Sequence, residues 1–75
     1  MNFDIEIEQE ADDRWIAEIP DLPGVLAYGV TPLQAGARAK ALALRVLAER
    51  MDNEDAIPGI NSIVFENRYE QVAVG

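Results

Sequence analysis

A chain of 75 residues carrying 14 acidic side chains against 6 basic ones, with no histidine and no cysteine, excludes several kinds of protein at once. Disulfides and thiolate-bound metals are ruled out, along with the commonest general base and the thiol nucleophile. A net charge of −8 offers no excess cation to displace the counterions of a nucleic acid, so DNA or RNA binding is not expected and a basic partner is favoured.

One small core offsets little more than the conformational entropy of ordering such a chain, which is on the order of 1.5 kcal/mol per residue. With 49% apolar residues and no crosslink to help, association into a homo-oligomer is the expected remedy. The opening residues MNFDIEIEQE have neither the basic region nor the apolar core of a signal peptide. Arg38, Lys40 and Arg45 interrupt the most apolar region well short of a membrane span. The expectation is one cytoplasmic domain over 1–75, with no membrane contact and no separate DNA-binding domain.

Residues 2–9 alternate strictly. Phe3, Ile5 and Ile7 fall on one side and Asp4, Glu6 and Glu8 on the other, which is the pattern of a half-buried strand. The cluster Glu10–Asp13 breaks it, and Arg14–Ile19 resumes as the second arm of a hairpin, with Trp15, Ala17 and Ile19 on one face and Ile16 and Glu18 on the other. Pro20 ends that strand because it has no amide proton to give the ladder.

Pro23-Gly24 predicts a type II turn, with proline presetting one central φ and glycine supplying the positive one. Val25 to Tyr28 read as a short third strand, ended by Gly29. Thr31-Pro-Leu-Gln34 then spells an N-cap, a first-turn proline and the reciprocal glutamine of a capping box, so a helix is predicted from Pro32 to about Met51.

At 100° per residue, Gln34, Arg38, Arg45 and Glu49 share a narrow polar sector of that helix. Ala35, Ala39, Leu42 and Val46 form one apolar stripe, and Leu33, Leu44, Leu47 and Met51 form a second. A helix lying on a sheet needs one stripe. The second is either an oligomer interface or part of one broad core face. Gly36, early in the helix, is either tolerated or marks the close approach of another backbone.

Asp52–Asp55 stops the helix, and Pro58-Gly59 marks a turn or linker. The tail favours strand from about Ser62 to Glu66 and from about Glu70 to Val74, either as a hairpin turning near Asn67-Arg68 or as one long strand. The fold class expected is α+β: a two-layer β-β-β-α-β(β) domain, with an antiparallel three-stranded meander, one or two C-terminal strands and a single helix packed on one face.

Candidate chemistry is sparse. Thr31 and Ser62 are the only aliphatic hydroxyls and neither has a base at a recognisable spacing. Asp4, Glu6, Glu8 and Glu18 could supply a two-metal nuclease only if they converged, whereas alternation alone accounts for them as a solvated face. No phosphate-loop spacing of glycines precedes the helix. The expectation is a chain with no catalytic residues, cofactor or metal site. Trp15 and Tyr28 are the large aromatics near the hairpin; each is either packing or a partner anchor.

The run from Arg14 to Glu49 resembles the HicB-like family of antitoxins. The likeness lies in an ordered succession: an aromatic-apolar-Ala-Glu-apolar-Pro strand end at Trp15–Pro20, then Asp-Leu-Pro-Gly at Asp21–Gly24. A Gly-x-Thr helix entry at Gly29–Thr31 follows, and then an alanine-rich helix. Val25 and Gln34 stand where family members often have cysteine and glutamate. The resemblance implies a three-strand, one-helix, strand unit, a partial ribonuclease-H-like fold without nuclease activity. It also implies a partner: a small basic toxin of the HicA kind that cuts messenger RNA. The first 21 residues hold eight acids against Arg14 alone, so Trp15, Glu18, Asp21 and Tyr28 are the candidate partner-binding residues. Leu33, Leu44, Leu47 and Met51 are the candidate oligomer interface.

Overall fold

The computed structural model describes residues 1–53, 57 and 60–69. Its order is β1 (Asn2–Gln9), β2 (Trp15–Glu18), β3 (Leu26–Gly29), α1 (Pro32–Asp52) and β4 (Val64–Tyr69). The four strands form one mixed sheet in the order β3-β2-β1-β4, and the helix packs on one face of it. The α+β class and the β-β-β-α-β layout are those the sequence predicts. β1, β2 and β3 are an antiparallel meander, whereas β4 runs parallel to β1 at the far edge. A parallel pairing needs a crossover. The helix provides it, passing back over β3, β2 and β1.

Each turn follows from local chemistry. In the first hairpin the Asp13 amide donates to the Glu10 carbonyl, and Asp13 itself takes a left-handed φ of 65°. This is a type I turn closed by a left-handed residue, a position aspartate tolerates better than most. Between β2 and β3 two proline-led turns follow in succession. Leu22 donates to the Ile19 carbonyl and Val25 to the Leu22 carbonyl, each at 3.0 Å, with Pro20 and Pro23 at the preset positions. Gly24 has φ 85°, as the predicted type II turn requires. Ile19 closes the loop by donating to the Val25 carbonyl, and Leu22 and Val25 are buried beneath it. Val25 is thus a core residue of the turn, and β3 begins one residue later than expected.

The helix entry is a shifted capping box. The Gln34 amide donates to Thr31 Oγ1 at 3.0 Å, and the Val30 amide donates to Gln34 Oε1 at 2.8 Å. Gly29 is required here for space: a Cβ on it would lie 2.5 Å from the Ala35 backbone nitrogen. Gly36 faces Ile7, and a Cβ there would meet only the Ile7 side chain, at 3.4 Å. At the other end the Asn53 amide donates to the Glu49 carbonyl, ending the helix within the acidic cluster that predicts its stop.

The core is apolar throughout, with no buried polar or charged residue among those described. The sheet supplies bulk (Phe3, Ile5, Ile7, Ile19) and the helix supplies small residues (Ala35, Gly36, Ala39, Ala43), so the two layers lie close together. The buried row continues by steps of four to Leu47, which is 2% exposed. This corrects its assignment to an oligomer interface: i+4 and i+8 from Ala43 and Ala39, it belongs to the core row. Leu42 and Val46 flank that row, while Leu33, Leu44 and Met51 are exposed.

For the tail the structure selects between the two open readings. No hairpin turns at Asn67-Arg68; β4 runs straight through both, in register with Ile5 and Glu6 of β1. Pairing along β1 gives this segment a ladder that a local hairpin would forgo. Pro58-Gly59 and the possible strand over 70–74 lie outside the described residues. Among those described, no helix is long and apolar enough to cross a membrane.

Candidate functional site

The face of the sheet away from the helix is built by alternation. Asp4, Glu6 and Glu8 come from β1, Ile16 and Glu18 from β2, Leu26 and Tyr28 from β3, and Val64, Glu66 and Arg68 from β4. Strand register arranges them in rows: Leu26, Glu18, Glu6 and Arg68 lie side by side, and Tyr28, Ile16 and Glu8 lie side by side next to them. Glu6, Glu8, Ile16 and Glu18 line a shallow hollow of about 210 Å³. Tyr28 and Leu26 stand next to it on β3, opposite Ile16 and Glu18.

The charges on this face are unevenly satisfied. Arg68 holds Asp4 at 3.0 Å and Glu66 at 3.3 Å, at the β4 side. Glu6, Glu8 and Glu18 have no ion-pair partner among the described residues. Glu6 stands directly opposite Glu18, with Cα atoms about 5.5 Å apart as in any hydrogen-bonded antiparallel pair. Like charges so placed oppose folding. The face combines a floor of one isoleucine, a wall of unpaired carboxylates and an aromatic rim. It suits long cationic side chains, whose methylenes can lie on Ile16, Leu26 and Tyr28 while their heads reach the acids.

The sequence-derived candidates separate. Glu18 and Tyr28 share this outer face. Trp15 does not: it points to the helix side with Ala17 and Ile19, half-buried against the core, because an odd step along β2 reverses the face. Asp21 is exposed in the first of the two proline-led turns, beyond the end of β2. Tyr28 already carries a cation, the Arg14 guanidinium 4.9 Å from its ring centroid, and Arg14 is itself tied to Asp12 at 2.7 Å. Among the described residues no three carboxylates are grouped so as to hold a metal ion, although Asp4, Glu6, Glu8 and Glu18 share one face.

Sequence reasoning passed over Leu26, Glu66 and Arg68 as members of this surface. Period-two alternation assigns each residue a face of its own strand. Which residues become neighbours depends on the long-range pairing of β4 with β1, and no local signal carries that. No protein-family model, no curated protein and no solved structure gives a significant match to the chain.

Proposed function

We propose that the chain is a protein-binding module of the HicB-like antitoxin kind, whose outer sheet face covers a small basic ribonuclease toxin of the HicA kind. The carrying observation is the group of unpaired carboxylates, Glu6, Glu8 and Glu18, around Ile16 with Leu26 and Tyr28 beside it. The arrangement works against folding in the isolated chain, and a basic partner would relieve it by supplying the missing counter-charges. Electrostatic complementarity of this kind raises the rate of encounter and selects against acidic partners. The succession Trp15–Pro20, Asp21–Gly24, Gly29–Thr31 supplies the family reading, and the β-β-β-α-β order agrees with the unit that resemblance implies. The chain acts by covering its partner rather than by chemistry of its own, and works in the cytoplasm where messenger RNA is cut.

The test is to co-express the chain with the small basic protein encoded beside its gene, and to measure complex formation and RNA cleavage. The expected result is a complex in which cleavage is suppressed, and a variant carrying Glu6→Lys and Glu18→Lys that folds but no longer suppresses it. A double variant that inhibits as well as the parent chain excludes the outer face. The absence of any bound and inhibited ribonuclease excludes the antitoxin reading itself.

A further inference from the structure

We propose that β4 is the contact strand of a symmetric dimer, in which two copies pair antiparallel about Asn67 and join their sheets into one. The proposal stands on the strand's own geometry and holds whether or not the chain is an antitoxin.

β4 is an open edge. The Val64 amide donates to the Met1 carbonyl, which fixes the alternation along the parallel ladder. Val64, Glu66 and Arg68 turn their backbone groups toward β1, so Phe65, Asn67 and Tyr69 turn theirs outward. The helix packs over β3, β2 and β1, and among the described residues no element pairs with the outer side of β4. The opposite edge of the sheet is different, because Arg38 Nη1 donates to the Tyr28 carbonyl at 2.9 Å and occupies part of it.

The residues along the open edge specify a second copy as the occupant. Phe65-Glu-Asn-Arg-Tyr69 is complementary to its own reverse, with an aromatic, an acid, asparagine, a base and an aromatic in turn. An antiparallel pairing with its two-fold axis at Asn67 sets Asn67 against Asn67 and Phe65 against Tyr69. These are the residues whose amides and carbonyls point outward, so each group meets its complement. The same register sets Glu66 against Arg68 and Arg68 against Glu66, in the closer, non-hydrogen-bonded type of pair where side chains interact most. A shift by two residues in either direction sets Asn67 opposite an aromatic and dissolves both ion pairs.

The surrounding side chains agree with this arrangement. Glu66 and Arg68 lie on the outer face and are more than half exposed, with Arg68 free to keep Asp4 while meeting Glu66 of the second copy. On the helix side, Phe65 is stacked on Phe3 with ring centroids 5.8 Å apart, whereas Tyr69 is 56% exposed. The pairing brings each Tyr69 beside the other copy's Phe65 and withdraws both rings from water. An isologous strand pairing of this type is a closed, two-fold contact.

Sedimentation equilibrium of the full chain tests it, with far-UV circular dichroism as the check on folding. The parent chain is expected to be a dimer. Asn67→Pro removes an outward amide and leaves the β1–β4 ladder intact, and is expected to give a folded monomer. Glu66→Arg and Arg68→Glu each place like charges across the axis, and each is expected to raise the dissociation constant at least about tenfold, while the double exchange restores the dimer. Leu44→Glu, on the exposed side of the helix, is expected to leave the dimer unchanged. A monomeric parent chain overturns the proposal. So does a double exchange no tighter than its single variants, and so does a dimer lost with Leu44→Glu but kept with Asn67→Pro. Should Asn67→Pro fail to fold, the charge series decides alone.

Discussion

The two faces of one four-stranded sheet are made by the same alternation and meet opposite fates. Toward the helix, Ile5, Ile7, Ala17 and Ile19 are wholly buried against alanines, and each of these four is explained by packing. Away from it, Glu6 faces Glu18, and among the described residues only Arg68 forms ion pairs with the acids of this face, at one side. The difference separates residues that fold the chain from residues that folding would rather do without. The second set is where function belongs.

The contrast can be broken most severely from the inside. Gly29→Ala drives a Cβ into the Ala35 backbone at 2.5 Å, where nothing flexible can yield, and is expected to destabilise by about 3 kcal/mol. Ile7→Ala, which leaves a cavity under Gly36, is expected to cost a similar ~3 kcal/mol. Urea titrations check both. At the helix entry, Thr31→Ala removes the oxygen that accepts from the Gln34 amide and is expected to cost ~1 kcal/mol. Gly36→Ala should act the other way. Its Cβ meets one flexible side chain at ordinary contact distance, so the helix-propensity gain of up to ~1 kcal/mol is retained as a higher melting temperature. This pair of glycines, seven residues apart, gives the comparison its sharpest form: the same substitution with opposite signs.

The outer face answers on a smaller scale. Glu18→Gln is expected to stabilise the free chain by a few tenths of a kcal/mol through relief of the Glu6 contact. Added salt is expected to raise the melting temperature of the parent chain more than that of Glu18→Gln, because screening replaces what the substitution removes. A destabilised Glu18→Gln would mean that the carboxylate is held by a partner within the fold and is not an unpaired charge.

Local signals made most of this architecture legible. Alternation placed Phe3, Ile5 and Ile7 inside, Pro23-Gly24 named its own turn, and Thr31 to Gln34 announced the helix to the residue. What escaped was set at long range. β4 could turn back on itself or run on, and only β1, some sixty residues earlier in the chain, decides between the two. Leu47 falls with the second stripe at 100° per residue, and only the setting of the helix on its sheet brings the row that steps by four from Ala35 to carry it into the core. Trp15 is a different case: its size and chemistry suited a partner anchor, although local alternation already set it with Ala17 and Ile19 on the face that turned out to meet the helix. The outer surface was half legible: the sequence gathers the acids of β1 with Glu18, but the row that adds Arg68 and Leu26 exists only once the strands are in register.

Arg38 comes from the helix on the opposite face of the sheet, yet its bond to the Tyr28 carbonyl bears on how large an assembly the chain can make. A sheet with two open edges adds copies without limit and grows into a filament. Here the β3 side carries a cationic stopper on the outward Tyr28 carbonyl, so a chain that joins a neighbour at β4 presents a partly blocked edge at the other side. Replacing Arg38 with alanine would remove that stopper, and the first sign would be turbidity on standing rather than any change in melting temperature.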